Sequence, residues 1–225
     1  MLIGILVFPG VQQLDLTGPF EVFASLPGAE VHLLWKDVAP IRSATGLVLQ
    51  PTMTLADCPA LDVICVPGGS GTNALLTDVE VHDFIRCMAR SARFVTAVCT
   101  GALVLGAAGL LRGRRATTHW MSLDLLEQFG ATPVSERVVR DGQLITAGGV
   151  TAGIDFALTV VAELVSVDAA QEIQLMLEYA PAPPFDAGTP ATASPATLAG
   201  ARARLAPTRT EREAVIRTLA TRSAD

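Results

Sequence analysis

The sequence predicts a doubly wound α/β sandwich with a mainly parallel sheet, and three observations carry that reading. Short continuous apolar runs (Leu2–Phe8, Asp62–Val66, Phe94–Val98) alternate with helical patterns. Uninterrupted runs of this kind belong to strands buried on both faces of a parallel sheet. With 225 residues, half of them hydrophobic and 17% charged, the chain can fill the core of one α/β domain and is not globally disordered.

The elements follow in order. Leu2–Phe8 is the first strand, and Pro9-Gly10 stops it. It has no positive flank, so it reads as a strand and not as a signal peptide. Thr17–Ser25 is expected to be helical, with Pro19 near its first turn. Val31–Trp35 is a second strand, and the Thr/Val/Leu-rich stretch 40–54 is expected to form short strands or a hairpin. Asp62–Val66 is a third strand, ending in Pro67-Gly68-Gly69, and a helix follows over about 79–90. Phe94–Val98 is a fourth strand that stops abruptly at Cys99, with a helix over 100–109 ended by Gly109. Ala116-Thr117-Thr118 is strand-like and Trp120–Phe129 helical. Val138–Ile145 reads as a hairpin about Asp141-Gly142, and Ala152–Val165 and Asp168–Tyr179 as two long helices.

Composition then shifts. Residues 180–197 hold five of the fourteen prolines, which marks an extended arm. Residues 198–222 return to helix before a frayed end, with Arg209/Glu213 and Glu213/Arg217 as i,i+4 pairs of a solvated face. The organisation expected is one α/β catalytic domain over 1–180, then a proline-rich arm and C-terminal helix over 181–225.

Composition also excludes. A net charge of −6 argues against a basic nucleic-acid surface, and eleven aromatic residues against a stacking platform for single strands. The longest uncharged stretch, Phe94–Leu111, is at the lower edge of a membrane span and is interrupted by three glycines, so it reads as a strand and a buried helix. Four cysteines without a C-x-x-C pair and three scattered histidines give neither a disulfide framework nor zinc spacing. The expectation is a soluble cytoplasmic protein.

Sites in doubly wound sheets form at the carboxyl ends of strands. Cys99 is the strongest signal there. Val95-Thr96-Ala97-Val98-Cys99-Thr100-Gly101 drives a buried strand into a helix with no loop between, which places Cys99 on a nucleophile elbow. The helix N-terminus behind it is expected to depress the thiol pKa. Cys65, inside Val63-Ile64-Cys65-Val66, reads as core. Gly68-Gly69 is an ordinary strand-to-helix turn on its own; opposite an elbow cysteine, free N–H groups of Gly69 and Thr100 would form a two-donor anion hole. Asp15, between Leu14 and Leu16, is either a helix N-cap or a carboxyl held protonated in an apolar pocket. His119 alone reads as a structural histidine and Trp120 as a pocket wall.

Several segments together resemble a known family. Val66-Pro67-Gly68-Gly69, Ala97-Val98-Cys99-Thr100-Gly101 and Thr117-Thr118-His119-Trp120, in that order, resemble the PfpI-like superfamily, flavodoxin-like relatives of the class I glutamine amidotransferases. Within it, Val11–Pro19, Arg114–Trp120, Gly148–Phe156 and Leu177–Phe185 are most similar to the isocyanide hydratases. The resemblance spans about residues 1–190. It implies a flavodoxin-like fold, Cys99 as nucleophile, Asp15 as its carboxylic partner, and Thr100 and Gly69 in the polar cradle. It also implies a substrate pocket near His119, Trp120 and Val150, a small isocyanide substrate and a homodimer, with no metal and no organic cofactor. Many superfamily members place a glutamate beside the cysteine; here Asp15 follows the hydratase pattern. Besides a structural or chaperone role, two other readings stay open. One is a thiol hydrolase or glyoxalase of the same fold, which wants a His or Glu near sulfur. The other is the ligand-sensing domain of a transcription regulator, for which the 28 residues from 198 are too short to hold a pair of helix-turn-helix units.

Overall fold

The computed structural model describes residues 1–222. Its elements are β1 (Leu2–Leu6), α1 (Gln13–Ala24), β2 (Glu30–Trp35), β3 (Ile41–Arg42), β4 (Val48–Leu49), β5 (Met53–Thr54), β6 (Val63–Val66), α2 (Thr72–Leu75) and α3 (Val79–Ala89). There follow β7 (Phe94–Val98), α4 (Gly101–Ala107), β8 (Arg115–Ala116), a 3-10 helix (Trp120–Phe129), β9 (Thr132–Pro133), β10 (Val138–Asp141), β11 (Leu144–Ala147), α5 (Ala152–Leu164), α6 (Val167–Met176) and α7 (Pro195–Arg222).

Seven strands form one sheet in the order β10-β11-β7-β6-β1-β2-β5. Every pairing is parallel except β10 with β11, where the hairpin turns back at one edge. Strands β6 and β7 are buried along their whole length, as their unbroken apolar sequence demands. Helices α1 and α5 pack together on one side, and α5 continues the layer into α6. Phe8, Phe23, Phe156, Ile64 and Leu103 are among the fully buried side chains of the core. The predicted sandwich is therefore the observed architecture.

What positions the site is the middle of that order. β7, β6 and β1 are neighbours, and Val66 lies level with Ala97. Their carboxyl ends deliver Cys99, Pro67-Gly68-Gly69 and the approach to α1 to one place. The crossing of β7 into α4 is tight: a side chain on Gly101 would bring its Cβ to 1.9 Å from the Val66 carbonyl oxygen.

Two boundaries depart from the sequence reading. α1 starts at Gln13, not at Thr17, because the backbone is already extended at Gln12 and turns there. Pro19 thus lies inside the helix, and Asp15 sits in its first turn without capping it. α7 begins at Pro195 and is solvated over most of its surface, as expected, but one side is docked: Arg209 pairs with Glu213 and also bonds both carboxylate oxygens of Asp124 and the Met121 carbonyl, holding α7 on the 3-10 helix. The frayed end expected beyond residue 222 lies outside the described residues.

The elbow gives a stability prediction. Gly101→Ala forces backbone to move against backbone, so it should cost about 3 kcal/mol or more, beyond the usual range for overpacking. Urea unfolding of the variant checks this; a change within 0.5 kcal/mol, the scale of ordinary surface substitutions, would show that the elbow relaxes freely.

Candidate active site

Cys99 is the residue at which the strand becomes a helix. Its φ is +56°, one of two positive values among non-glycine residues described. For a residue with a Cβ this is strained backbone, and it persists only where neighbours over-determine it. They do so here. The Cys99 N–H donates to the carbonyls of Ala147 and Gly148 at 3.0 and 2.9 Å, and the Cys99 carbonyl accepts the Thr118 hydroxyl at 2.6 Å. The turn aims Sγ away from the sheet, toward the N–H groups of Thr100 and Val150.

Asp15 lies beneath this elbow, fully buried. One carboxylate oxygen accepts the Gly68 N–H at 2.9 Å. The other, Oδ1, is buried without a hydrogen-bond partner among the described residues, and the Cys99 thiol acts on the carboxyl as a whole. Gly68 is required at this spot, since a Cβ there would stand 2.7 Å from the carboxylate oxygen and 2.6 Å from the Thr100 nitrogen. Burial pushes Asp15 up to about 7, against the Gly68 bond and the thiol, which favour the ionised form. A carboxylic acid is therefore available near neutral pH, as the sequence suggested, and the N-cap alternative falls.

Two expectations about the cysteine's surroundings are corrected. The thiol is not depressed. Burial first, and then the Asp15 carboxylate, push it well above the ordinary thiol range, while the Thr100 and Val150 N–H groups pull the other way. The seven-residue α4 behind it does not outweigh the dry pocket. Second, the Gly69 N–H is not free: it donates to the Thr100 hydroxyl at 3.0 Å, and that hydroxyl also receives the Thr72 O–H at 3.2 Å. Gly69 holds Thr100 in place, and the second N–H facing sulfur comes from Val150.

A cavity of about 310 Å³ opens over the thiol. Cys99, Thr100, Gly69, His119 and Val150 line it, so five of the residues read from sequence converge. Trp120 does not. It stacks on His119 at 5.5 Å and lines, with His119 and Val150, a neighbouring cavity of about 390 Å³. His119 thus reaches the site, but burial, and after it Arg212, push the ring down to about 4. Its Nδ1 accepts the Met121 N–H, which places the proton of the neutral ring on Nε2. Sequence reasoning missed Gln12, Ser122, Thr208 and Arg212, which complete the wall. Only the end of a strand marks Gln12, and nothing local marks the two residues brought in by α7. The other cysteines stand apart: Cys65 is core, Cys58 half-buried and Cys87 exposed.

The fold and site together define a class. The profile of the DJ-1/PfpI family matches residues 1–163, which hold the sheet, the cysteine elbow and the buried acid, and the chain belongs to that family. Within it, an isonitrile hydratase of Pseudomonas putida is 65% identical over 205 residues, covering 91% of this chain and 90% of that protein. The crystal structure of a ThiJ/PfpI family protein from Pseudomonas syringae superposes with a TM-score of 0.93 at 43% identity, covering 96% of this chain and 90% of that one. The HTH-type transcriptional regulator GbdR of Pseudomonas aeruginosa is 32% identical over 145 residues, 62% of this chain but 39% of the regulator.

The raised Asp15 predicts a pH-dependent stability. A carboxyl whose folded pKa lies above its unfolded value contributes stability below about pH 4 and loses it as the pH rises through about 7. Ionising Asp15 in the folded state thus costs up to about 4 kcal/mol, three pKa units at 1.36 kcal/mol each. Asp15→Asn keeps the Gly68 bond and removes the titration. It should match the parent at pH 4.5 and exceed it at pH 8 in chemical unfolding. The same pH slope in both proteins would contradict the assignment.

Proposed function

We propose that the protein is an isocyanide hydratase, adding water to R–N≡C to give R–NH–CHO. The observation that carries this is the pairing of an elbow thiol with a fully buried carboxyl that holds its proton near pH 7. Isocyanide hydration needs a nucleophile for the terminal carbon and a proton for the same carbon, and this pair supplies both. The likeness to the Pseudomonas putida isonitrile hydratase supports the reading across nine-tenths of the chain.

The pair reacts from the minor arrangement of its one shared proton, with Cys99 as thiolate and Asp15 as acid, because burial raises the thiol further than it raises the carboxyl. Sulfur bonds to the terminal carbon, Asp15 protonates that carbon, and a thioimidate, Cys–S–CH=N–R, results with Asp15 ionised. Asp15 then takes a proton from water as its oxygen adds to the carbon, and returns that proton to nitrogen. Finally Asp15 takes the new hydroxyl proton, the C–S bond breaks, and the formamide leaves behind thiolate and acid. The N–H groups of Thr100 and Val150 hold the sulfur's charge, Gly69 fixes Thr100, and His119, Trp120 and Val150 shape the pocket wall. The chain's own groups complete this cycle without metal or organic cofactor. A glyoxalase or hydrolase wants a base of its own beside sulfur, and His119, neutral with Nδ1 occupied, is poorly suited to that role.

The α/β catalytic domain is 1–180 in this reading, and the arm and helix that follow, described to residue 222, cover it. A homodimer in the cytoplasm is part of the same proposal. Exposed Val165, Val167, Leu175, Met176 and Phe185 support it, because so many large apolar side chains on α6, its flanks and the arm favour a covering partner. No helix among the described residues is long and apolar enough to cross a membrane.

Three outcomes test the reading. A simple aryl isocyanide should yield its N-formamide, and Cys99→Ala and Cys99→Ser should abolish this while remaining folded; turnover in both variants would remove Cys99 as nucleophile. Asp15→Asn should lose about 10²-fold or more in rate, in the range that general acid–base catalysis supplies; near-parental turnover would leave water as the proton source. Light scattering at micromolar concentration should give the dimer mass, and a clean monomer would refute the assembly.

A further inference from the structure

α7 carries a cation into the site. Arg212 is 5% exposed and lines the cavity that holds Cys99. It is the one side chain with a full charge among the described residues lining that cavity. Its Nη1 donates to the Ser122 hydroxyl at 3.1 Å, and its buried Nε has no acceptor. No carboxylate among the described residues pairs with it. Glu211, next to it on α7, is engaged by the Asn73 amide at 2.9 Å, and the carboxylates of Asp124 and Glu213 are taken by Arg209. A buried guanidinium without a counter-charge is costly, and proteins keep one where an anion forms or binds.

The anion is at hand. The titratable groups lining the cavity from the other elements are Cys99 at the head of α4 and His119 before the 3-10 helix, and Asp15 of α1, buried outside the lining, acts on Cys99 from beneath. With His119 neutral and Asp15 protonated, as it is below about pH 7, Arg212 carries the cavity's positive charge, and the carboxylate acting on it is that of Glu211, outside the cavity lining. Loss of the thiol proton to solvent leaves thiolate facing guanidinium and returns the pocket to neutrality. Arg212 and Cys99 are within electrostatic reach of one another. We propose that Arg212 is the counter-charge of the Cys99 nucleophile, a positioning residue delivered by the C-terminal helix, which supplies the thiolate stabilisation that the short helix behind the elbow does not. Its consequence for turnover rests on the hydratase reading; the ionisation of Cys99 does not.

The test reads the thiol directly. Cys99 alkylation by iodoacetamide is followed across pH by mass mapping of its peptide in the parent, Arg212→Met and Arg212→Lys proteins, with thermal unfolding as a check on folding. Arg212→Met should raise the pH midpoint by about one unit or more, the size of shift an opposite charge at close range produces, and slow alkylation about tenfold at pH 7. Arg212→Lys, which keeps the charge, should recover most of that rate. Iodoacetate, an anionic reagent, should lose more than iodoacetamide when the charge is removed. An unchanged midpoint in folded Arg212→Met, or an equal loss in Arg212→Lys with unaltered stability, would overturn the proposal. Hydration of an aryl isocyanide is measured alongside, and the acid limb of its pH–rate profile should move with the alkylation midpoint. A shifted midpoint in a protein that makes no formamide would end the hydratase reading and leave the counter-charge standing. Hydration by the parent with an unmoved midpoint would do the reverse.

Discussion

The site depends on one backbone constraint, the turn at Cys99 from a buried strand straight into a helix. A positive φ at a residue with a Cβ does not hold itself. It is held by two carbonyls at the end of β11, by the Thr118 hydroxyl, and by the glycine two residues on that lets α4 pass the end of β6. The first and last of those contacts exist because β11, β7 and β6 lie side by side in parallel register. The sheet order is thus the first cause of the chemistry: it fixes the turn, and the turn fixes where sulfur points.

From that position the thiol's surroundings follow. The elbow lies over the start of α1, so the acid of the first turn of α1 faces it from below. The same burial that raises Asp15 toward neutrality also raises the thiol, and the two cannot both ionise cheaply so close together. A dry pocket therefore makes a good acid and a reluctant nucleophile at once. Proton donation gains from burial; thiolate formation needs something more than the N–H groups of Thr100 and Val150.

This is where sequence reading reached its limit, for a physical reason. The strands were legible because a buried parallel strand must be apolar throughout, and Cys99 because a strand running into a helix without a loop permits little else than an elbow. Asp15 was legible as a choice between two roles, and only the start of α1 at Gln13 decides it. The thiol's ionisation was misjudged because helix direction can be read locally, whereas desolvation is a sum over every segment that closes the pocket. Gly69 was misjudged for a similar reason: whether an N–H is free depends on Thr100, 31 residues away. Arg212 was invisible because, in sequence, its segment has the i,i+4 charge pattern of a solvated helix. What buries it is docking, through Arg209 to Asp124 and through Asn73 to Glu211.

The docking of α7 bears on how the family's shared machinery is specialised. The family profile ends at residue 163, so the elbow and the Thr100 and Val150 N–H groups lie in the common part, along with Asp15, where the chain follows the hydratase pattern. The similarity to the Pseudomonas aeruginosa regulator extends over no more than 145 residues, whereas that to the Pseudomonas putida hydratase reaches over 205. A common part that presents a buried, reluctant thiol is suited equally to sensing and to catalysis. The segment beyond it closes the cavity with Leu205 and Thr208 and places a cation where the common part has none. Covering the site and charging it are then one event, because the residue that loses water on docking is the one whose charge the sulfur needs.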